Sequence, residues 1–84
     1  MMTTIFVFIR AELGQAMTLA ADIVDNVSHV SEVHSISGQY DLLAKFHLEK
    51  TTDIGAFVTQ QVQTRPGVRE TYTVITFSPF LPSA

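Results

Sequence analysis

The chain opens on a segment that is apolar on alternating sides. Thr3 to Ile9 (TTIFVFI) is β-branched and aromatic, which predicts a strand. Phe6 and Phe8 fall on one face, Ile5, Val7 and Ile9 on the other, so a central strand covered on both sides is expected. From Gly14 to Val27 the period changes. Leu13, Met17, Ala20, Val24 and Val27 recur at spacings of three and four, predicting a helix with that stripe on the sheet. Gln15, Thr18, Asp22 and Asp25 fall mostly on its other side.

Val30 to Ser37 predicts a mixed strand, followed by a turn at Gly38-Gln39. Asp41 to Leu48 then alternates, with Leu42, Ala44, Phe46 and Leu48 on one face and Leu43, Lys45 and His47 on the other, so the pair forms a hairpin. Thr51-Thr52-Asp53 offers capping groups to a second helix that presents Ile54, Phe57, Val58 and Val62. Arg65-Pro66-Gly67 stops that helix, because the residue before proline is pushed out of helical geometry. Val68 to Phe77 is the last strand.

The order β-α-β-β-α-β, with a faint echo between His29–Ile36 and Gly67–Val74, predicts a ferredoxin-like α+β fold: a four-stranded antiparallel sheet with two helices on one face. The domain is expected to fill residues 1–84, with its core at 3–77 and a proline-bounded tail at 78–84. The other face of the sheet is left open. Leu43, Ile75, Phe77 and one side of the first strand are expected to line it, which points to a dimeric α/β sandwich.

Composition sharpens this picture. The 84 residues are 46% hydrophobic and 15% charged, a globular chain too short to hide that much apolar surface alone. The net charge is −3, and Arg10, Lys45, Lys50, Arg65 and Arg69 are scattered, so direct nucleic-acid binding is not expected. There is no cysteine, which excludes disulfides and thiol chemistry. The N-terminus has no signal-peptide pattern and no apolar run spans a membrane, so a soluble cytoplasmic protein with no membrane partner is expected.

Chemistry-bearing residues are few. His29, His34 and His47 lie in a turn and on two strands without metal-ligand spacing, so no metal is expected. Glu32 and Glu70 fall on the two outer strands as solvated charges. No nucleophile setting, P-loop or dinucleotide motif is present, so neither catalysis nor a cofactor is expected. The informative segment is Ser35 to Leu43. Gly38 exposes backbone groups, Tyr40 adds an aromatic wall and Asp41 a carboxylate, a set that suits a small zwitterion. The same residues also make an ordinary hairpin turn with a capping Asp.

The segment Ser37-Gly38-Gln39-Tyr40-Asp41-Leu42-Leu43, followed by Arg65-Pro66-Gly67-Val68-Arg69-Glu70-Thr71-Tyr72-Thr73, resembles the ligand-binding domain of the Lrp/AsnC transcriptional regulators. That family carries a G-x-Y-D hairpin and a "pGV-x-x-T" start of the last strand, and the resemblance runs from Thr3 to about Phe77. It resembles the stand-alone form, without the helix-turn-helix of full-length members, so DNA binding is not carried over. The resemblance implies dimers through face-to-face sheets, assembly into octamers or similar rings, and an amino-acid effector bound between dimers. Mapped onto this sequence, the binding residues are Gly38, Gln39, Tyr40 and Asp41, then Leu42 and Leu43, with Thr71 and Thr73. Two alternatives stand beside it. One is an ACT-like amino-acid-binding module, whose loop after the first strand has only Gly14 here. The other is a structural partner that co-assembles with full-length regulators. A small ferredoxin-like oxygenase is disfavoured, since there is no Trp and the histidines are not grouped.

Overall fold

The computed structural model describes residues 1–83. Its elements are β1 (Met2–Ala11), α1 (Ala16–Asn26), β2 (Val30–Ser35), β3 (Leu42–Glu49), α2 (Ile54–Phe57), which runs directly into a π-helical turn (Val58–Val62), and β4 (Val68–Ile75). All pairings are antiparallel and the strand order is β2-β3-β1-β4. This is the expected ferredoxin-like α+β arrangement, with the most apolar strand inside.

The alternation predicted for β1 and β3 sets the core. Ile5, Val7 and Ile9, with Leu42, Ala44, Phe46 and Leu48, are all fully buried beneath the helices. Burying each of the larger side chains contributes about 1.5–3 kcal/mol. Phe57, Val58 and Val62 close the core from the second helical segment, as their spacing predicts. Asp53 caps that segment by accepting from the Ala56 amide at 3.0 Å.

The first helix differs from expectation. Its buried residues are Leu19 and Ile23, continued by Val27, with Ala16 and Ala20 at the margin. Leu13, Met17 and Val24 of the expected stripe are instead 95%, 74% and 51% exposed. The cause lies at the start. Gly14 is left-handed, with φ +75°, so Leu13 belongs to a turn and α1 begins only at Ala16. The helix then turns its bulkier Leu/Ile pair inward, and two alanines allow close approach to the sheet.

Two strands are shorter than expected. β2 stops at Ser35, because the Ile36 amide donates to the Asp41 carbonyl (3.0 Å) and closes the hairpin loop. β4 pairs only as far as Ile75, after which the Thr76 amide and hydroxyl both donate to the Thr4 carbonyl. The open face also needs correction. Leu43 lies on it, opposite Phe8, but Ile75 pairs with Ile5 on the helix side and Phe77 lies past the strand, fully exposed. Tyr72 and Val74, opposite Phe8 and Phe6, take their place.

Candidate functional site

Because β1 and β3 are antiparallel, the end of β1 and the β2–β3 hairpin meet at one end of the sheet. Asp41 ties them together. Its Oδ2 accepts from the Ala11 amide at 2.8 Å, and its own amide donates to the Ile9 carbonyl at 2.9 Å. Gly38 holds a φ of +118°, a region that L side chains rarely adopt.

Between the hairpin and the β1–α1 turn lies a cleft of about 390 Å³. Gly38, Gln39 and Asp41 wall one side, Ala11 to Gly14 with Ala16 and Met17 the other, and Arg10 and Arg69 complete it. Of the residues expected at a binding site, three therefore share this cleft. Tyr40 turns to the open face, stacked on Tyr72 at 6.2 Å and tilted against Phe8 at 5.7 Å, with the Arg10 guanidinium 5.4 Å from its ring centre. Leu43 lies on that face too. Leu42 is fully buried under the helices as part of the core.

Thr71 and Thr73 lie elsewhere in a single chain. They occupy the helix side of β4, opposite Ile9 and Val7. Thr71 accepts from the Gln63 side-chain amide at 2.8 Å, and Thr73 lines a shallow hollow of about 310 Å³ with Ile54, Val58 and Ile75. Glu12 and Leu13 of the β1–α1 turn and Met17 of the first turn of α1 are absent from the sequence-based site. The signal that points to them is topological: the turn leaving β1 must sit beside the turn entering its antiparallel neighbour.

The charged groups are mostly engaged. Arg10 pairs with Glu70, and Glu32 with His34 while lying 3.9 Å from Lys45. The His34 hydrogen bond holds the Glu32 carboxyl below its ordinary range. Away from the cleft, Arg65 donates through two nitrogens to Asp22, at 2.9 and 2.7 Å. That bond, with one from Asn26, lowers the Asp22 pKa. His47 Nδ1 lies 3.0 Å from the Thr4 hydroxyl, and His29 sets its ring edge-on to Phe57. Among the described residues no cluster of three or more His, Asp or Glu could hold a metal ion, and no helix is long and apolar enough to cross a membrane.

The family model for the Lrp/AsnC ligand binding domain matches residues 4–84. Uncharacterized HTH-type transcriptional regulators of Pyrococcus horikoshii and Pyrococcus furiosus are 31% and 30% identical over 77 residues, covering 89% of this chain and 51% of each relative. The chain thus spans about half the length of the curated relatives it matches. A Thermus thermophilus protein of known crystal structure is 31% identical, with TM-score 0.85 over 95% of this chain and 99% of that one. A Neisseria meningitidis transcriptional regulator, solved as an L-Met complex, shares the fold with TM-score 0.81 at 15% identity, over 96% of this chain and 53% of its own.

Proposed function

The chain belongs to the Lrp/AsnC ligand-binding domain family, and from that premise we propose that it is a non-catalytic module that senses a free amino acid. The observation that carries this reading is the half-open cleft of about 390 Å³ beside the Gly38–Asp41 hairpin. Backbone groups at a left-handed glycine and charged side chains on the rim offer what a small zwitterion needs. The L-Met complex of the Neisseria meningitidis regulator supports the ligand class. Relatives that are transcriptional regulators support a role without chemistry.

In this reading the working form is a cytoplasmic homodimer joined through the open sheet face, where Phe6, Phe8, Tyr72 and Val74 make an apolar surface. Dimers then assemble into an octamer-like ring, and a neighbouring copy closes the cleft. Thr71 and Thr73 reach the ligand only through such a neighbour. Ligand contacts present only in the assembled form shift the oligomer equilibrium by differential affinity.

A thermal-shift screen against the common amino acids at millimolar concentration tests this. A ligand at 100 times its Kd stabilises the folded state by about 2.7 kcal/mol, and each kcal/mol moves the midpoint of so small a domain by about 4–8 °C. A shift confined to one chemical class is expected. A flat response from a well-folded oligomer sinks the sensor reading.

A further inference from the structure

Among the described residues the side chains of one acid and one base in the cleft, Glu12 and Arg69, make no other polar contact, and the sheet is irregular where the base is mounted. Along β4, Arg10 pairs with Glu70 but Ala11 pairs with Val68, so Arg69 has no opposite residue on β1. Such a one-residue bulge re-aims a side chain and is over-represented beside binding sites. The register places Glu70 beside Arg10 on the open face, and uninterrupted alternation would set Arg69 over the helices. With the bulge it lines the cleft instead. The Glu12 amide donates to the Gly67 carbonyl at 2.8 Å, which anchors Glu12 to the start of the same strand.

The other charged groups of the cleft are partly engaged. One oxygen of the Asp41 carboxylate accepts from the Ala11 amide, so it acts in part as a clamp, and Arg10 ion-pairs with Glu70 and lies against the Tyr40 ring, although its Nε keeps no hydrogen-bond partner. Among the described residues, neither the Glu12 nor the Arg69 side chain makes an ion pair or hydrogen bond, and both line the cleft.

We infer that Arg69 and Glu12 are the recognition pair for the ligand's α-carboxylate and α-ammonium, and that the ligand is an amino acid with an uncharged, apolar side chain. A cation and an anion whose side chains make no other polar contact match the two charges of a zwitterion, and no further unpartnered cation is left for an acidic side chain. The exposed Leu13 and Met17 side chains offer that ligand an apolar wall. This inference rests on the amino-acid reading above and names its residues and specificity.

Isothermal titration of the full chain with L-leucine, L-methionine, L-glutamate and L-lysine tests it, alongside 4-methylpentanoate, which lacks the ammonium, and isoamylamine, which lacks the carboxylate. Wild type binds L-leucine or L-methionine at least about tenfold more tightly than the charged pair. Arg69→Gln and Glu12→Gln each weaken that binding by at least about tenfold, as expected for a lost hydrogen bond to a charged group. Glu12→Gln no longer distinguishes leucine from 4-methylpentanoate, and Arg69→Gln no longer distinguishes it from isoamylamine. Both positions are exposed, so circular dichroism should report unchanged folding. If wild type binds leucine and both variants bind it equally well, the pair is wrong while the sensor reading stands. Preference for glutamate or lysine overturns the specificity alone. Binding of no amino acid by wild type removes both.

Discussion

Asp41 carries two different meanings at the scale of one residue. Its side chain lines the cleft, and its Oδ2 also accepts the Ala11 amide at 2.8 Å and locks the hairpin to β1. Removing the acceptor leaves a part-buried amide unsatisfied, which costs about 1–3 kcal/mol. Asp41→Ala is therefore expected to lower the urea midpoint measurably, while Asp41→Asn, which keeps an acceptor oxygen, loses less. An Asp41→Ala protein as stable as wild type would show that the clamp contributes nothing. Gly67 illustrates the opposite case, where absence of a side chain is the requirement. Its φ is +96°, and an added Cβ would come within 3.3 Å of Gln15 Cβ at the start of α1. Only glycine lets the chain turn into β4 while α1 lies against it.

In α1 two stripes compete, and packing selects the one through Leu19 and Ile23. Leu19→Ala should cost about 2–5 kcal/mol. Met17→Ala, at a position 74% exposed, should stay within about 0.5 kcal/mol; equal losses in chemical denaturation would mean that the stripe is misplaced. The Asp22–Arg65 pair fastens this helix to the turn before β4. The Arg65 hydrogen bonds depress the Asp22 pKa below its ordinary 3.8. The pair's stabilisation is thus fully present above that value and is lost as pH falls through the folded pKa. Stability measured between pH 5 and pH 2 should fall less steeply in Arg65→Gln than in wild type. Identical slopes would show that the pair is not the acid-sensitive element.

For the molecule as a whole, one face of the sheet has helices and the other has none. The uncovered side presents Phe6, Phe8, Tyr72 and Val74, with Tyr72 55% exposed in the single chain. A patch of this kind on so small a domain supports the proposed sheet-to-sheet dimer. Tyr72→Asp puts a charge at its centre and removes a ring that packs on Phe8 and Tyr40, so the variant's fold is checked by circular dichroism. Sedimentation equilibrium should show wild type as a dimer or larger and this variant shifted toward monomer. Unchanged sedimentation would place the interface elsewhere.

The order of elements, the central position of β1 and the buried faces of β1 and β3 follow from the sequence. A period of two allows only two faces, and one of them is continuously apolar at Ile5, Val7, Ile9 and at Leu42, Ala44, Phe46 and Leu48. The G-x-Y-D hairpin and the family resemblance are local strings, legible without folding. Helical phase is different. Spacings of three and four fit both stripes of α1, and the left-handed Gly14 and the sheet beneath decide between them. The cleft lies further still from the sequence, because it joins Glu12 and Leu13 to Gly38 and Asp41 across an antiparallel pairing. Arg69 reaches it through a bulge that exists only in the register of β4 against β1. Periodicity sets which residues share a face within one element. How the faces of different elements meet is decided by packing, and the site is made of such meetings.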